Sequence, residues 1–193
     1  ALIIGAATGM GAATAHAVAS LGGDVIALDV ASVDYPAKQV ITADLRQRAS
    51  VDAALAQIAG PIDALFLCAG VADGNPHIMA INFISQRYLF ERLVERAALP
   101  RGSAGALISS VAGLGWQMNV PKLKEFMALA DWESAAAWIA SHEGTNSYVF
   151  SKQAMNFYTA QQACPLLKRG IRINAVEPGP TDTPLARANA DVW

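Results

Sequence analysis

The chain lacks most of the features that set a protein apart from the ordinary globular class. Its 193 residues hold two cysteines, Cys68 and Cys164, in apolar or helical surroundings and without paired spacing. That is too few for a disulfide framework, and both read as reduced packing residues of a cytoplasmic protein. His16, His77 and His142 lie far apart with no partner at metal-ligand spacing, so they read as helix or loop residues rather than ligands. The net charge of −2 gives no bulk pull toward nucleic acid or anionic lipid. No apolar run approaches the ~18 uncharged residues of a membrane helix. Ala1 to Ile4 is apolar but runs straight into a glycine loop, the pattern of neither a signal peptide nor an anchor. Repeats, low-complexity tracts and linkers are missing too, so one domain is expected over residues 1–193.

What is present is apolar: 53% of the residues are hydrophobic, enough for one sizeable core. Strand-length apolar runs alternate with segments of helical period. Strands are expected at Ala1–Ile4, Val25–Leu28, Gln39–Ala43, Ile62–Cys68, Ala106–Ile108 and Ile171–Val176. Between them, helices are expected up to Leu21, over Ser50–Ala59 with Ser50 as N-cap, over Ile81–Ala98, and from a cap at Asn146 or Ser147 to about Leu167. Lys168-Arg169-Gly170 reads as a helix C-terminus with favourable charges and a glycine cap. Apolar strands separated by helices indicate an α/β fold, a doubly wound parallel sheet covered on both faces. Pro121–His142 breaks the alternation and reads as one or two short amphipathic helices inserted between core elements. Trp116, Trp132 and Trp138 either line a lid or anchor this insertion.

Gly5-Ala6-Ala7-Thr8-Gly9-Met10-Gly11 follows a strand and opens a helix. Glycines there let the backbone turn and approach a pyrophosphate attracted by the helix N-terminus. The spacing departs from the common G-x-G-x-x-G fingerprint, so the loop alone is a weak signal. Asp29 strengthens it. It ends the second strand, eighteen residues after Gly11, where a carboxylate accepts both hydroxyls of an adenosine ribose. The same carboxylate repels the extra phosphate of NADP, and no Arg or Lys lies between Gly5 and Asp24 to compensate, so NAD is expected. Asp44 either touches the adenine edge or caps the following helix.

Tyr148 and Lys152 stand four residues apart at the start of a helix and share a face. A phenol with an ordinary pKa of about 10 is a poor base, and a nearby ammonium together with the positive nicotinamide of NAD⁺ would favour the phenolate. Ser109 and Ser110 end the preceding strand, at the edge where ligands of parallel sheets collect. A hydroxyl there can stabilise charge on a carbonyl oxygen. Asn82, near the start of the long helix, reads by itself as an ordinary polar helix residue, although its amide could hold a water or the Lys152 ammonium.

Glycine loop, acidic strand end, Cys68-Ala69-Gly70, Asn82, Ser109-Ser110, Tyr148 to Lys152 and Pro178-Gly179 occur in the order found in the short-chain dehydrogenase/reductase family, which the whole chain resembles. The resemblance implies an NAD-dependent oxidoreductase of the Rossmann fold acting on a small hydrophobic alcohol or ketone. It implies Tyr148 as general acid/base, Lys152 as its tuner and ribose ligand, Ser110 as substrate-orienting group and Asn82 as support for a proton relay. Cofactor contacts are implied at Gly5, Thr8, Gly9, Met10, Gly11, Asp29, Asp44, Leu45, Ala69, Gly70, Tyr148, Lys152, Pro178, Gly179 and Thr181, and at Thr183 toward the nicotinamide amide. A homo-oligomer, dimer or tetramer, is implied as well.

Three departures stand out. Ile4 replaces a common Thr and Cys68 a common Asn, both mainly structural positions. The third is the length between Ser110 and Tyr148, extended by a helical insertion over 116–142. With Leu67-Cys68-Ala69-Gly70 and Ser109-Ser110-Val111-Ala112, this insertion resembles the bacterial 3α-hydroxysteroid dehydrogenase/carbonyl reductase branch, with a coniferyl alcohol dehydrogenase-like branch next. In the former it is associated with blocking the family's helix-bundle dimer contact. Thr181 to Trp193 resembles the start of a mobile substrate-binding loop, so a further helix and strand are expected to be missing. A rival from another class is an NAD-sensing protein without chemistry, against which the complete Ser-Tyr-Lys-Asn set argues.

Overall fold

The computed structural model describes residues 1–188, so the last five residues of the Thr181–Trp193 stretch lie outside the described residues. Six strands form one parallel sheet: β1 (Leu2–Ile4), β2 (Ile26–Asp29), β3 (Gln39–Thr42), β4 (Ala64–Leu67), β5 (Ala104–Ile108) and β6 (Arg172–Val176), in the spatial order β3-β2-β1-β4-β5-β6. The helices are α1 (Gly9–Ser20), α2 (Arg48–Gln57), α3 (Ser85–Glu95), α4 (Val120–Met127), α5 (Trp132–Ser141), α6 (Tyr148–Lys168) and the short α7 (Pro184–Arg187). The chain leaves β1 toward β2 and returns to β4 on its other side, so a crevice opens above the end of β1. Register fixes what stands there: Ile4 pairs with both Leu28 and Leu67, which sets Gly5, Asp29 and Cys68 at one level.

Strand alternation sorts the core. Leu2, Ile4, Leu28, Leu65, Leu67 and Leu107 point to the face covered by α2, α3 and α6, while Ile3 and Ala27 meet Ala15 of α1 on the other. Both faces are therefore covered, as the doubly wound pattern requires. Among the described residues no helix is long and apolar enough to cross a membrane.

The inserted segment adds to the core. Phe126 of α4 is fully buried, with ring centroids of Phe83, Trp138 and Phe150 at 5.7, 5.2 and 5.8 Å. Trp132 lies edge-on to Tyr88 of α3 at 5.8 Å, and Trp116 edge-on to Phe157 of α6 at 5.7 Å. Arg48 of α2 and Glu133 of α5 form a 2.6 Å ion pair. The three tryptophans are thus anchors rather than a lid, and α4 and α5 lie over α3 and α6.

Several local expectations need correction. Ser50 is not a cap: α2 starts at Arg48, and the Ser50 hydroxyl accepts the Asp44 N–H at 2.9 Å. The helix expected over Ile81–Ala98 is divided, with a π-helical turn at Ala80–Ile84 before α3. The cause is Gln86, whose Nε2 donates to the carbonyls of Ala69, Ile81 and Asn82 at 2.8–2.9 Å and stands in for donors of the regular ladder. Cys164 is exposed on α6 rather than a core packing residue, whereas Cys68 is largely enclosed. At the start of α6 the Ser147 hydroxyl accepts the Phe150 N–H. At its end the Ile171 N–H reaches the Leu166 carbonyl and the Gly170 N–H the Leu167 carbonyl, with Gly170 at φ +78°, a Schellman cap.

Candidate active site

Two adjoining cavities open at the C-terminal edge of the sheet. The first, about 440 Å³, is bordered by Gly5, Thr8, Gly9, Met10, Asp29, Asp44, Leu45, Ala69 and Gly70. The second, about 370 Å³, is bordered by Ser110, Tyr148, Pro178, Gly179, Thr181 and a mostly apolar wall. Met10 and Thr183 border both, so the two cavities meet where α1 begins.

The glycine loop is shaped by close approach. A side chain on Gly5 would lie 2.5 Å from the backbone of Ala69, and one on Gly11 would lie 1.9 Å from the Gly5 carbonyl oxygen. Gly11 is buried under the loop and borders neither cavity; its role here is to let α1 sit against Gly5. Thr8 precedes α1 without capping it through its side chain, and the first turn holds no acidic residue. The helix therefore presents its positive end to the first cavity, an arrangement that suits a pyrophosphate. Asp29 is tied to the same loop: its Oδ2 accepts the Ala7 N–H at 2.8 Å and its Oδ1 the Ala31 N–H at 2.9 Å. Asp44 does not cap α2. It forms a fork with Arg46, 2.7 Å at the closest, which holds its carboxyl down at a pKa of about 2. Arg46 also borders the first cavity, a cation the sequence reading overlooked beside Asp44-Leu45.

Tyr148 and Ser110 share the second cavity, and a hydrogen bond from the Ser110 hydroxyl favours the phenolate. Burial outweighs it and pushes the Tyr148 phenol above its ordinary value. The Lys152 ammonium lies over the ring face, 5.3 Å from the centroid, and donates to the Ile108 carbonyl at 2.7 Å. Lys152 is itself 3% exposed, and burial lowers its pKa from 10.5 to about 8. The hydroxyl of Ser109, unlike that of Ser110, is committed to the backbone, donating to the Lys152 carbonyl at 3.1 Å.

Asn82 is fully buried on the π-helical turn. Its amide is spent on both backbone groups of Val71, at 2.8 and 3.0 Å, and on the Ser151 hydroxyl at 3.2 Å. It holds α6 through Ser151, whose hydroxyl donates to the Tyr148 carbonyl at 2.6 Å, and does not hold the Lys152 ammonium. The groups are still neighbours: a methyl placed on Gly70 would lie 3.8 Å from Asn82 Oδ1 and 3.9 Å from Lys152 Nζ. Thr183 caps α7, accepting the Ala186 N–H at 3.2 Å. Among the described residues, no group of three His, Cys, Asp or Glu could hold a metal.

A crevice at the switch point of a doubly wound sheet, with a tyrosine and a serine at one end and a buried lysine behind the tyrosine ring, has the form of a nucleotide-dependent oxidoreductase. The chain belongs to the short-chain dehydrogenase/reductase family: the family model described as enoyl-(acyl carrier protein) reductase matches residues 5–192. It is 28% identical over 189 residues to coniferyl-alcohol dehydrogenase of Pseudomonas sp. (strain HR199), covering 95% of this chain and 73% of that one. It is likewise 28% identical over 193 residues to 3-alpha-hydroxysteroid dehydrogenase/carbonyl reductase of Comamonas testosteroni, covering 97% and 74%. Among solved structures, 3-alpha-hydroxysteroid dehydrogenase from Pseudomonas sp. B-0831 complexed with NADH superposes with a TM-score of 0.82. There the identity is 27%, over 97% of this chain and 75% of that one.

Proposed function

We propose that the chain is an NAD(H)-dependent oxidoreductase that interconverts a hydrophobic secondary alcohol and its ketone. The observation that carries this reading is the junction of the two cavities, with Tyr148 and Ser110 on the apolar side and the glycine loop and Asp29 on the other. When bound, the nicotinamide accepts or returns the hydride. Gly5, Thr8, Gly9 and Met10 with the N-terminus of α1 would hold its pyrophosphate, Asp29 the adenosine ribose, Asp44 and Leu45 the adenine edge, and Ala69, Gly70, Pro178, Gly179, Thr181 and Thr183 the rest.

In the oxidation direction Tyr148 takes the hydroxyl proton and Ser110 orients the substrate oxygen. Lys152, a buried cation beside the ring, together with the positive nicotinamide favours phenolate. Asn82 secures the backbone of α6 behind both. The apolar wall formed by Val111, Ala112, Val149 and Leu185 favours a hydrophobic substrate. Steroid-like and arylpropenyl alcohols both suit such a wall, and the two relatives of 28% identity are named for one each.

The test is NADH absorbance with NAD⁺ or NADP⁺ and a panel of steroid, arylpropenyl and cyclic alcohols. Turnover with NAD⁺ on one class supports the reading; tight NAD⁺ binding without turnover on any class favours the sensor alternative. Because α4 and α5 cover α3 and α6, a homo-oligomer uses another face. A small-angle scattering envelope showing a four-helix contact of α3 and α6 would contradict this.

A further inference from the structure

The substrate cavity contains one residue that an apolar pocket does not need. Asp73 lies five residues beyond Cys68 on the loop after β4, and it is the one charged side chain among the described residues bordering that cavity. Its Oδ1 accepts the N–H of Tyr148, the first residue of α6, at 2.7 Å across 75 residues of sequence. The first turn of α6 is already capped by Ser147. No ion pair neutralises Asp73 among the described residues, and Lys152, the one buried cation among them, donates to the Ile108 carbonyl.

A 21-residue helix that begins at a cavity offers a ready anion site at its N-terminus. Here that site is filled by the protein's own carboxylate. We propose that Asp73 is a specificity-determining residue that admits neutral alcohols and ketones and excludes substrates bearing a carboxylate or phosphate. The inference rests on the reading of the cavity given above. A second anion entering it meets the fixed charge of Asp73 and finds the positive end of α6 taken. An Asn at the same place would still accept the Tyr148 N–H, so charge and anchoring can be separated. The charge also acts on the phenol. Of the groups facing Tyr148, Asp73 raises its pKa, the Ser110 hydroxyl lowers it, and the Lys152 ammonium stands over the ring.

The experiment compares wild type with Asp73→Asn and Asp73→Ala, using the best neutral alcohol of the panel as substrate. Cyclohexanecarboxylate and cyclohexanecarboxamide serve as competing inhibitors at low and high salt. In wild type the carboxamide binds more tightly. Asp73→Asn narrows the ratio of inhibition constants about five- to tenfold, and added salt narrows it in wild type alone. The pH–rate profile for oxidation moves to lower pH in Asp73→Asn. Asp73→Ala shows the same change of ratio with a further loss of kcat from the freed helix start. An unchanged ratio in Asp73→Asn, equal inhibition of wild type by both compounds, or no inhibition by either overturns the inference. Absence of any NAD-linked turnover in wild type instead overturns the reading of the cavity on which it rests.

Discussion

Lys152 is held in a place that stabilises nothing by itself. Its ammonium is almost wholly buried, has a single carbonyl partner at 2.7 Å and the Met155 sulfur at 3.9 Å, and its pKa falls from 10.5 to about 8. At about 1.4 kcal/mol per pKa unit, carrying the charge in the folded state costs about 3 kcal/mol. Lys152→Met keeps most of the volume, removes the charge and gives up a hydrogen bond worth about 1 kcal/mol. The variant is therefore expected to be more stable than wild type by roughly 2 kcal/mol at pH 7, or about 4–8 °C in Tm for a domain of this size.

The sign of the pH dependence is fixed by the lowered pKa. Below pH 8 the lysine is charged in both folded and unfolded chains, and the cost is fully present. Between about 8 and 10.5 the unfolded chain holds more protons, so wild-type stability gains relative to the variant as pH rises. The advantage of Lys152→Met should shrink through that window and vanish by its upper end. Thermal or urea unfolding of both nucleotide-free proteins from pH 6.5 to 10.5 measures it. A variant less stable than wild type at pH 7, or a difference that does not change with pH, would show that the buried charge is not the cost inferred here. Activity should be lost in either case.

Three further substitutions test other parts of the site. Tyr148→Phe should lower kcat by about 10²–10⁴-fold while leaving the NAD⁺ dissociation constant nearly unchanged, read from steady-state kinetics and calorimetry. Gly11→Ala places a methyl 1.9 Å from the Gly5 carbonyl oxygen. It should cost about 1–3 kcal/mol of stability and abolish the rise in Tm that NAD⁺ produces in wild type. Asp29→Ser removes the charge that opposes an extra ribose phosphate, and should raise the NADP⁺ to NAD⁺ ratio of kcat/KM about tenfold or more.

Much of the site could be read from spacing, because spacing is what local geometry preserves. The four-residue spacing of Tyr148 and Lys152 becomes one helix face, with the ammonium over the ring. A strand followed by Gly5 and a second ended by Asp29 become neighbours, because parallel register aligns Ile4 with Leu28. What spacing cannot carry is contact made through tertiary packing. Asp73 acquires its meaning from a hydrogen bond to a helix 75 residues away. Gln86 looks like an ordinary polar helix residue until its amide is found among three carbonyls, where it turns the start of the expected helix into a π-turn.

Nor does spacing show how deeply a side chain is enclosed: burial raises the Tyr148 phenol, with the Lys152 ammonium over its ring. Cys164 shows the limit of composition: a residue type that is usually buried stands on the outer face of α6.

Transfer of label from substrate to cofactor bears most directly on whether this site performs hydride chemistry. An alcohol of the panel deuterated at its carbinol carbon is incubated with the protein and NAD⁺, and the NADH is examined by mass spectrometry. Deuterium on the nicotinamide ring with wild type, and its near-absence with Tyr148→Phe, is the expected result. Firm NAD⁺ binding with no deuterium transferred from any alcohol class would contradict it and leave a nucleotide-binding protein without this reaction.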